Sequence, residues 1–299
     1  MRVPQFVGGG RIAWTERPVP TPGPGQLLLR VGANALCGSE RGQWIDGARV
    51  VPGHEAAGVV AAAGAETSTP VGTPGVAYLM DFCGTCLSCA LGCTNQCLHK
   101  RGDLGFNRDG GYAPYELVSE TVFFPVPEAL PLDLATLLLD VMGTGGHAIG
   151  RARRLRADIE SVLVTGAGPI GLGLLAMCRL LLGRDVAVYV SDIAPPRLRL
   201  AERLGGIPVS VEGRGLLEGL AACGRSEVDA AFDACGRAAP TPAASRTMPT
   251  RSPPSASRVD NRCRPGDDAP SSTRLSPSRR APPRASSAAT PPLRRRSCA

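Results

Sequence analysis

Cys83, Cys86, Cys89 and Cys97 stand at the spacing C-x2-C-x2-C-x7-C within the segment DFCGTCLSCALGCTNQC. Four thiolates so placed can close a tetrahedron around one zinc ion. The short gaps allow tight turns, and Zn–S bonds of about 2.3 Å put the sulfurs about 4 Å apart. The other chemistry open to such cysteines is a disulfide cluster, which needs an oxidising compartment. The opening residues, MRVPQFVGGGRIAWTE, have no apolar stretch of the secretory kind. That points to the cytoplasm, where thiols stay reduced and bind metal.

Gly166, Gly168 and Gly171 form the second pattern, G-A-G-P-I-G, with Pro169 and Ile170 between them. The first glycine makes a turn, the second lets backbone approach a pyrophosphate, and the third lets helix and strand pack closely. A helix starting there offers free N–H groups and a positive dipole end to the phosphates. Asp192 closes the next apolar run, where an acid can hold the adenosine ribose hydroxyls. A carboxylate repels a 2′-phosphate, so NAD is expected rather than NADP, with Arg197 and Arg199 close by. The plainer reading is a tight strand-to-helix turn without a ligand.

A third set of donors lies outside the cysteine cluster: Cys37 in ALCGSE, His54 and Glu55 in VPGHE, and Asp140 in LLLDVMGTG. Thiolate, imidazole and carboxylate are all zinc ligands, and a catalytic zinc keeps one position open. Spacing alone does not unite these four.

Two kinds of segment must position these residues. Residues 1–120 hold short apolar runs broken by Gly and Pro, such as 26–33, 55–64, 75–80 and 115–120. They predict an irregular β domain. Residues 131–156 read as helical, with the Gly-Thr-Gly-Gly of 143–146 interrupting the helix. From 161 onward buried strands alternate with helices: SVLVTGAGPIG, LGLLAMCRLLLG, DVAVYVSD, PPRLRLAERLGG, IPVSV, GLLEGLAACG and EVDAAFDACG. That alternation implies parallel βαβ units. The apolar stretch 162–183 resembles a membrane span only superficially, since its glycines, Pro169 and Arg179 fit strand, turn and helix.

The chain has 299 residues and a formal net charge of +7, unevenly spread. Residues 1–236 carry 20 Lys and Arg against 23 Asp and Glu, whereas residues 237–299 carry 13 Arg against 3 Asp. The same tail holds 12 of the 28 prolines and only Met248, Val259, Leu275 and Leu293 as large apolar side chains, too few to support a core. It is expected to be disordered, and its charge suits polyanions. It lacks aromatic residues to stack on bases, so no specific nucleic-acid partner is expected.

The ordered series ALCGSE, VPGHEAAGVV, the cysteine lobe, DGGYAPYELV and VLVTGAGPIGLG resembles the zinc-dependent medium-chain dehydrogenases/reductases, relatives of alcohol, polyol and threonine dehydrogenases. The resemblance covers residues 1–236. It implies a GroES-like catalytic domain over 1–150, with a structural zinc lobe at 83–97, and a partial Rossmann domain over 151–236, a doubly wound parallel sheet. It also implies two zinc ions per chain, NAD, an alcohol or polyol substrate and a homo-oligomer. Cys37 and His54 match the first two catalytic zinc ligands, Asp140 the third, and Glu55 a glutamate beside the metal. Ser39 matches the hydroxyl that takes the alcohol proton, and Glu40 the acid that orients the histidine. Cys83, Cys86, Cys89 and Cys97 match the structural site. Gly166, Gly168, Pro169, Ile170, Gly171, Asp192 and Arg197 match cofactor-binding positions. Trp44 and Phe106 are expected near the substrate. Gly42 stands where many members have a proton-passing histidine.

The tail departs from the family after VDAAFDACG, where further strands and helices are expected. A reading-frame change near residue 237 would account for the abrupt switch, and weak or absent activity would follow. The alternative to a dehydrogenase is therefore a non-catalytic zinc-binding fragment of one. A zinc-independent quinone-type reductase is a third reading, opposed by both cysteine-containing sites.

Overall fold

In a computed structural model, which describes residues 1–236, the chain opens with a hairpin. β1 (Arg2–Gly8) and β2 (Arg11–Glu16) pair antiparallel around a turn at Gly9 and Gly10. The tail expected to be disordered, 237–299, lies outside the described residues.

β3 (Gln26–Asn34) leads through a short 3-10 turn into α1 (Arg41–Asp46). β4 (Ala56–Ala63) and β5 (Pro74–Ala77) follow. β6 (Met80–Asp81), α2 (Leu87–Ala90) and β7 (Gly102–Asp103) frame the four cysteines. β8 (Tyr115–Ser119) and β9 (Phe123–Pro125) complete an antiparallel sheet of order β8-β3-β4-β5-β9. Leu27, Leu29, Val60 and Val118 are buried together in its core. Apolar side chains at alternate positions of β3 thus reach one face, as a half-buried strand requires.

The cysteine lobe is tied down by a buried carboxylate. β6 and β7 pair across its base. Asp81, wholly buried, accepts from Arg101 Nε at 3.0 Å, Arg101 Nη2 at 2.8 Å, Arg108 Nη1 at 2.5 Å and Ser119 Oγ at 2.8 Å. A buried charge with this many partners is satisfied; with either arginine gone it would be left short of donors.

The expected helix over 131–156 divides earlier than the glycines suggest. α3 (Leu132–Ala135) passes into a 3-10 turn at 136–138, the backbone breaks at Leu139, and α4 (Asp140–Leu155) then runs unbroken through residues 143–146. The glycines are contact points. A Cβ on Gly145 would lie 3.1 Å from the backbone of Leu174, and one on Gly173 only 2.1 Å from the carbonyl of Val141. Small residues let α4 approach α5 (Pro169–Leu181) backbone to backbone. The break at Leu139 makes Asp140 the first residue of α4, where the dipole favours an acid.

β10 (Ser161–Thr165), β11 (Ala187–Asp192), β12 (Ile207–Ser210) and β13 (Ala230–Asp233) form a parallel sheet of order β12-β11-β10-β13. α5, α6 (Pro195–Arg203) and α7 (Leu216–Ala222) provide its crossovers. Val162, Val164, Val188 and Val190 pack on one face with Leu174, Leu175 and Ile149. Leu163 and Tyr189 pack on the other with Val209 and Leu220. Burial on both faces explains the unbroken apolar runs of these strands. Residues 162–183 are therefore strand, turn and helix. No helix of the described residues is long and apolar enough to cross a membrane.

Candidate metal and dinucleotide sites

The 3-10 turn of 38–40 and the entry to β4 bring Cys37, Ser39, Glu40, His54 and Glu55 to one place, and the N-terminus of α4 adds Asp140. The ligand atoms of Cys37, His54, Glu55 and Asp140 all lie within 4.8 Å of one another. His54 Nε2 is 3.2 Å from Asp140 Oδ2 and 3.4 Å from Ser39 Oγ. Ser39 Oγ donates to Cys37 Sγ at 3.2 Å. On the other side of the ring, His54 Nδ1 lies 2.9 Å from Glu40 Oε1, close but poorly aligned for a hydrogen bond. The Tyr112 hydroxyl donates to the second oxygen of Glu40. Phe106 stands 5.0 Å from the imidazole, ring centre to ring centre.

Charge in this cluster is badly balanced without a cation. Burial lowers the basicity of His54, yet contacts with Asp140 and Glu40 more than offset this and hold it up to about 10. Burial, then the nearby Asp140 carboxylate, raise the Glu55 carboxyl. Three acids therefore crowd one imidazole and call for positive charge at their centre. A divalent ion fits that need and the mixed donor set of thiol, imidazole and carboxylate. With Nδ1 turned to Glu40, Nε2 is the nitrogen that faces the cluster, the arrangement in which an outer carboxylate orients a ligating histidine.

The four lobe cysteines also converge within 4.8 Å. Their sulfurs stand 4.0 Å apart for Cys83 and Cys89, 3.5 Å for Cys86 and Cys89, and 3.9 Å for Cys86 and Cys97. A zinc tetrahedron with bonds of about 2.3 Å has edges of about 3.8 Å, inside that spread. Backbone N–H groups of Thr85 and Cys86 pull the Cys83 thiol down to about 5. Those of Cys89 and Leu98 lower Cys86. Burial and the neighbouring Cys86 push the Cys89 thiol the other way, up to about 12, so the lobe favours a second thiolate there only if a cation joins the sulfurs.

The glycine turn links β10 to α5. Gly166 has φ +91°, and a Cβ on Gly171 would stand 1.8 Å from the Gly166 carbonyl oxygen, so neither position accepts a side chain. A Cβ on Gly168 meets nothing within 4 Å. Bare backbone there faces open space at the N-terminus of α5, with Pro169 in the first turn. A helix N-terminus with bare backbone before it is the kind of place where a phosphate can bind. Asp192 ends β11 and is nearly buried. Its Oδ2 accepts from Ala167 N at 2.8 Å and its Oδ1 from Ala194 N at 2.8 Å, while Arg197 Nη1 lies 3.7 Å from Oδ2. Asp192 thus fastens the glycine turn as well as standing where a ribose acid is expected.

Sequence reasoning missed Tyr112 as a partner of Glu40, because nothing in its spacing connects residues 72 positions apart. Of the two residues expected near the substrate, Phe106 stands beside His54. Trp44 lines a cavity of about 620 Å3 that reaches Cys37 and Glu40.

A parallel dinucleotide-type sheet beside an antiparallel domain with two donor clusters defines a class, and the comparisons agree with it. Residues 23–128 match the alcohol dehydrogenase GroES-like domain. The L-threonine 3-dehydrogenase of Saccharopolyspora erythraea is 34% identical over 236 residues, 75% of this chain and 66% of that protein. The alcohol dehydrogenase TADH from Thermus sp. ATN1 superposes with a TM-score of 0.73 at 28% identity, covering 83% of this chain and 74% of that one. An Escherichia coli CFT073 alcohol dehydrogenase (rspB) in complex with NADH gives 0.68 at 26% identity, covering 79% and 70%. The chain belongs to the zinc-dependent medium-chain dehydrogenase/reductase family. It spans 57% to 66% of the length of the curated L-threonine 3-dehydrogenases it matches.

Proposed function

We propose that the chain is built to transfer a hydride between a hydroxyl-bearing small molecule and NAD. Cys37, His54, Glu55 and Asp140 would hold a catalytic zinc, and Cys83, Cys86, Cys89 and Cys97 a structural one. The observation that carries this reading is the meeting of the first four, from three separate segments, within 4.8 Å. When bound, zinc supplies Lewis acidity that makes an alcohol proton easier to lose, and NAD supplies the hydride acceptor.

Ser39 Oγ, at the rim of the cluster, receives the proton of the substrate hydroxyl and passes it outward. With Gly42 in place of a histidine, solvent or the cofactor ribose is the next acceptor. Glu40 fixes the ring of His54 and is itself held by Tyr112. Phe106 shields the imidazole from water. The backbone at Gly166, Gly168 and Gly171, with Pro169 and Ile170, receives the pyrophosphate. Asp192 and Arg197 face the adenosine ribose, where the carboxylate favours NAD over a 2′-phosphorylated cofactor. The reduced thiols of both clusters suit the cytoplasm.

The test is NADH formation, slow if the tail weakens the enzyme, by the full-length chain purified with zinc and offered secondary alcohols and polyols, together with its zinc content. A chain that holds no zinc at Cys37 overturns the assignment whether or not turnover is seen. Turnover abolished by Ser39→Ala and by Cys37→Ser is the expected result. Turnover that survives both substitutions overturns the assignment.

A further inference from the structure

The cavity beside Cys37 bears on the substrate, which the reading above leaves open. Its walls come from Phe6, Ile12 and Trp14 of the N-terminal hairpin, from Leu36 next to Cys37, and from Trp44 of α1. The aromatic walls support one another: Phe6 meets Trp44 edge-on at 5.2 Å and Tyr112 at 6.0 Å. Polar groups able to greet a ligand are scarce. Glu40 accepts from Tyr112 through one oxygen and sets the other, buried, 2.9 Å from His54 Nδ1, and Arg41 is the other charged lining residue. Leu36 is 86% exposed, Trp14 55% and Ile12 45%. A ligand seated there would cover these exposed apolar side chains.

We propose that this cavity receives the apolar flank of the substrate, so that the preferred substrate is an aryl or cycloalkyl carbinol rather than a polyol or a hydroxy amino acid. The proposal rests on the function given above, which puts the reacting hydroxyl at the Cys37 cluster. The cavity meets that cluster at Cys37, which belongs to both. Its volume of about 620 Å3 accommodates a ring with its substituents. Aromatic walls reward burial of such a ring. The hydroxyls of a sugar alcohol would lose water there and find few partners in return.

The chain offers its own reporter, because its two tryptophans, Trp14 and Trp44, both line the cavity. The zinc-loaded full-length chain is titrated with 1-cyclohexylethanol and 1-phenylethanol, then with sorbitol and L-threonine, while tryptophan emission is recorded. The carbinols should give a saturable blue shift and the two polar compounds none. Leu36→Asp should weaken carbinol binding at least tenfold while zinc content and circular dichroism stay as in the parent. Should that variant not fold, Ile12→Ala serves, with a severalfold loss. A flat response to both carbinols overturns the proposal. So does an equal response to sorbitol, or emission already typical of buried indoles, which would mean that another part of the chain or a second copy fills the cavity. Carbinol binding without NADH formation upholds the cavity and counts against the proposed reaction. NADH formation from sorbitol with no carbinol binding does the reverse.

Discussion

Glu116 lies in β8 with almost no exposure, and neither of its oxygens has a hydrogen-bond partner among the described residues. Burial lifts its carboxyl from 4.5 to about 8, against the opposing pull of Arg108 and His54. Between those two values the folded chain keeps a proton that the unfolded chain has released. The group's stabilising share is therefore complete below pH 4.5 and is lost as pH rises toward 8. The loss runs at about 1.4 kcal/mol per pH unit. Glu116→Gln removes that titration. In urea unfolding, the variant should gain on the parent steadily from about pH 5 to about pH 8. A difference independent of pH would show that Glu116 has a partner or reaches water. Nothing in YELVS announces a buried acid, since alternation along a strand marks a face without saying how deeply it is covered. Cys37, His54, Glu55 and Asp140 could be named beforehand from motifs and family resemblance, but spacing does not unite them, and their meeting is a product of the fold.

Elements were legible where sequence pattern and packing agree. The βαβ series from β10 to β13 follows the order of its apolar runs, although α5 starts three residues earlier, at Pro169, and β13 takes only four residues of EVDAAFDACG. The glycines of α4 misled because propensity alone treats glycine as a breaker, while here they pay for their flexibility by admitting α5. The turn before α5 makes the opposite demand. Gly171→Ala would push a methyl group against the Gly166 carbonyl, at a distance of 1.8 Å before any relaxation. The expected cost is about 3 kcal/mol of stability together with loss of NADH binding, read by thermal unfolding and by cofactor fluorescence. Unchanged binding would mean that the turn is not the phosphate cradle. For the cysteine lobe, chelation should raise hydrogen exchange over residues 82–101 while the β10 and β11 amides keep their protection. The lobe's β6–β7 ladder is only two residues long and Asp81 anchors only its base, so the proposed metal is expected to order the residues between. Protection unaffected by chelation would contradict that.

For the molecule as a whole, the antiparallel sheet supplies most of the donors and the parallel sheet supplies the glycine turn at the N-terminus of α5. α4 bridges the two, since its first residue joins the donor cluster and its glycine face packs on α5. The acidic excess of residues 1–236 and the arginines of 237–299 give the two parts of the sequence opposite charge. The central claim is that the mixed cluster around His54 grips a divalent cation independently of the cysteine lobe. Its most direct test is the zinc content of the purified chain set beside that of Asp140→Ala. The account predicts two zinc ions per parent chain and one in the variant, with the remaining ion lost when Cys83 is also replaced. A parent chain that binds no zinc, or a variant that keeps the parent's full complement, would contradict it.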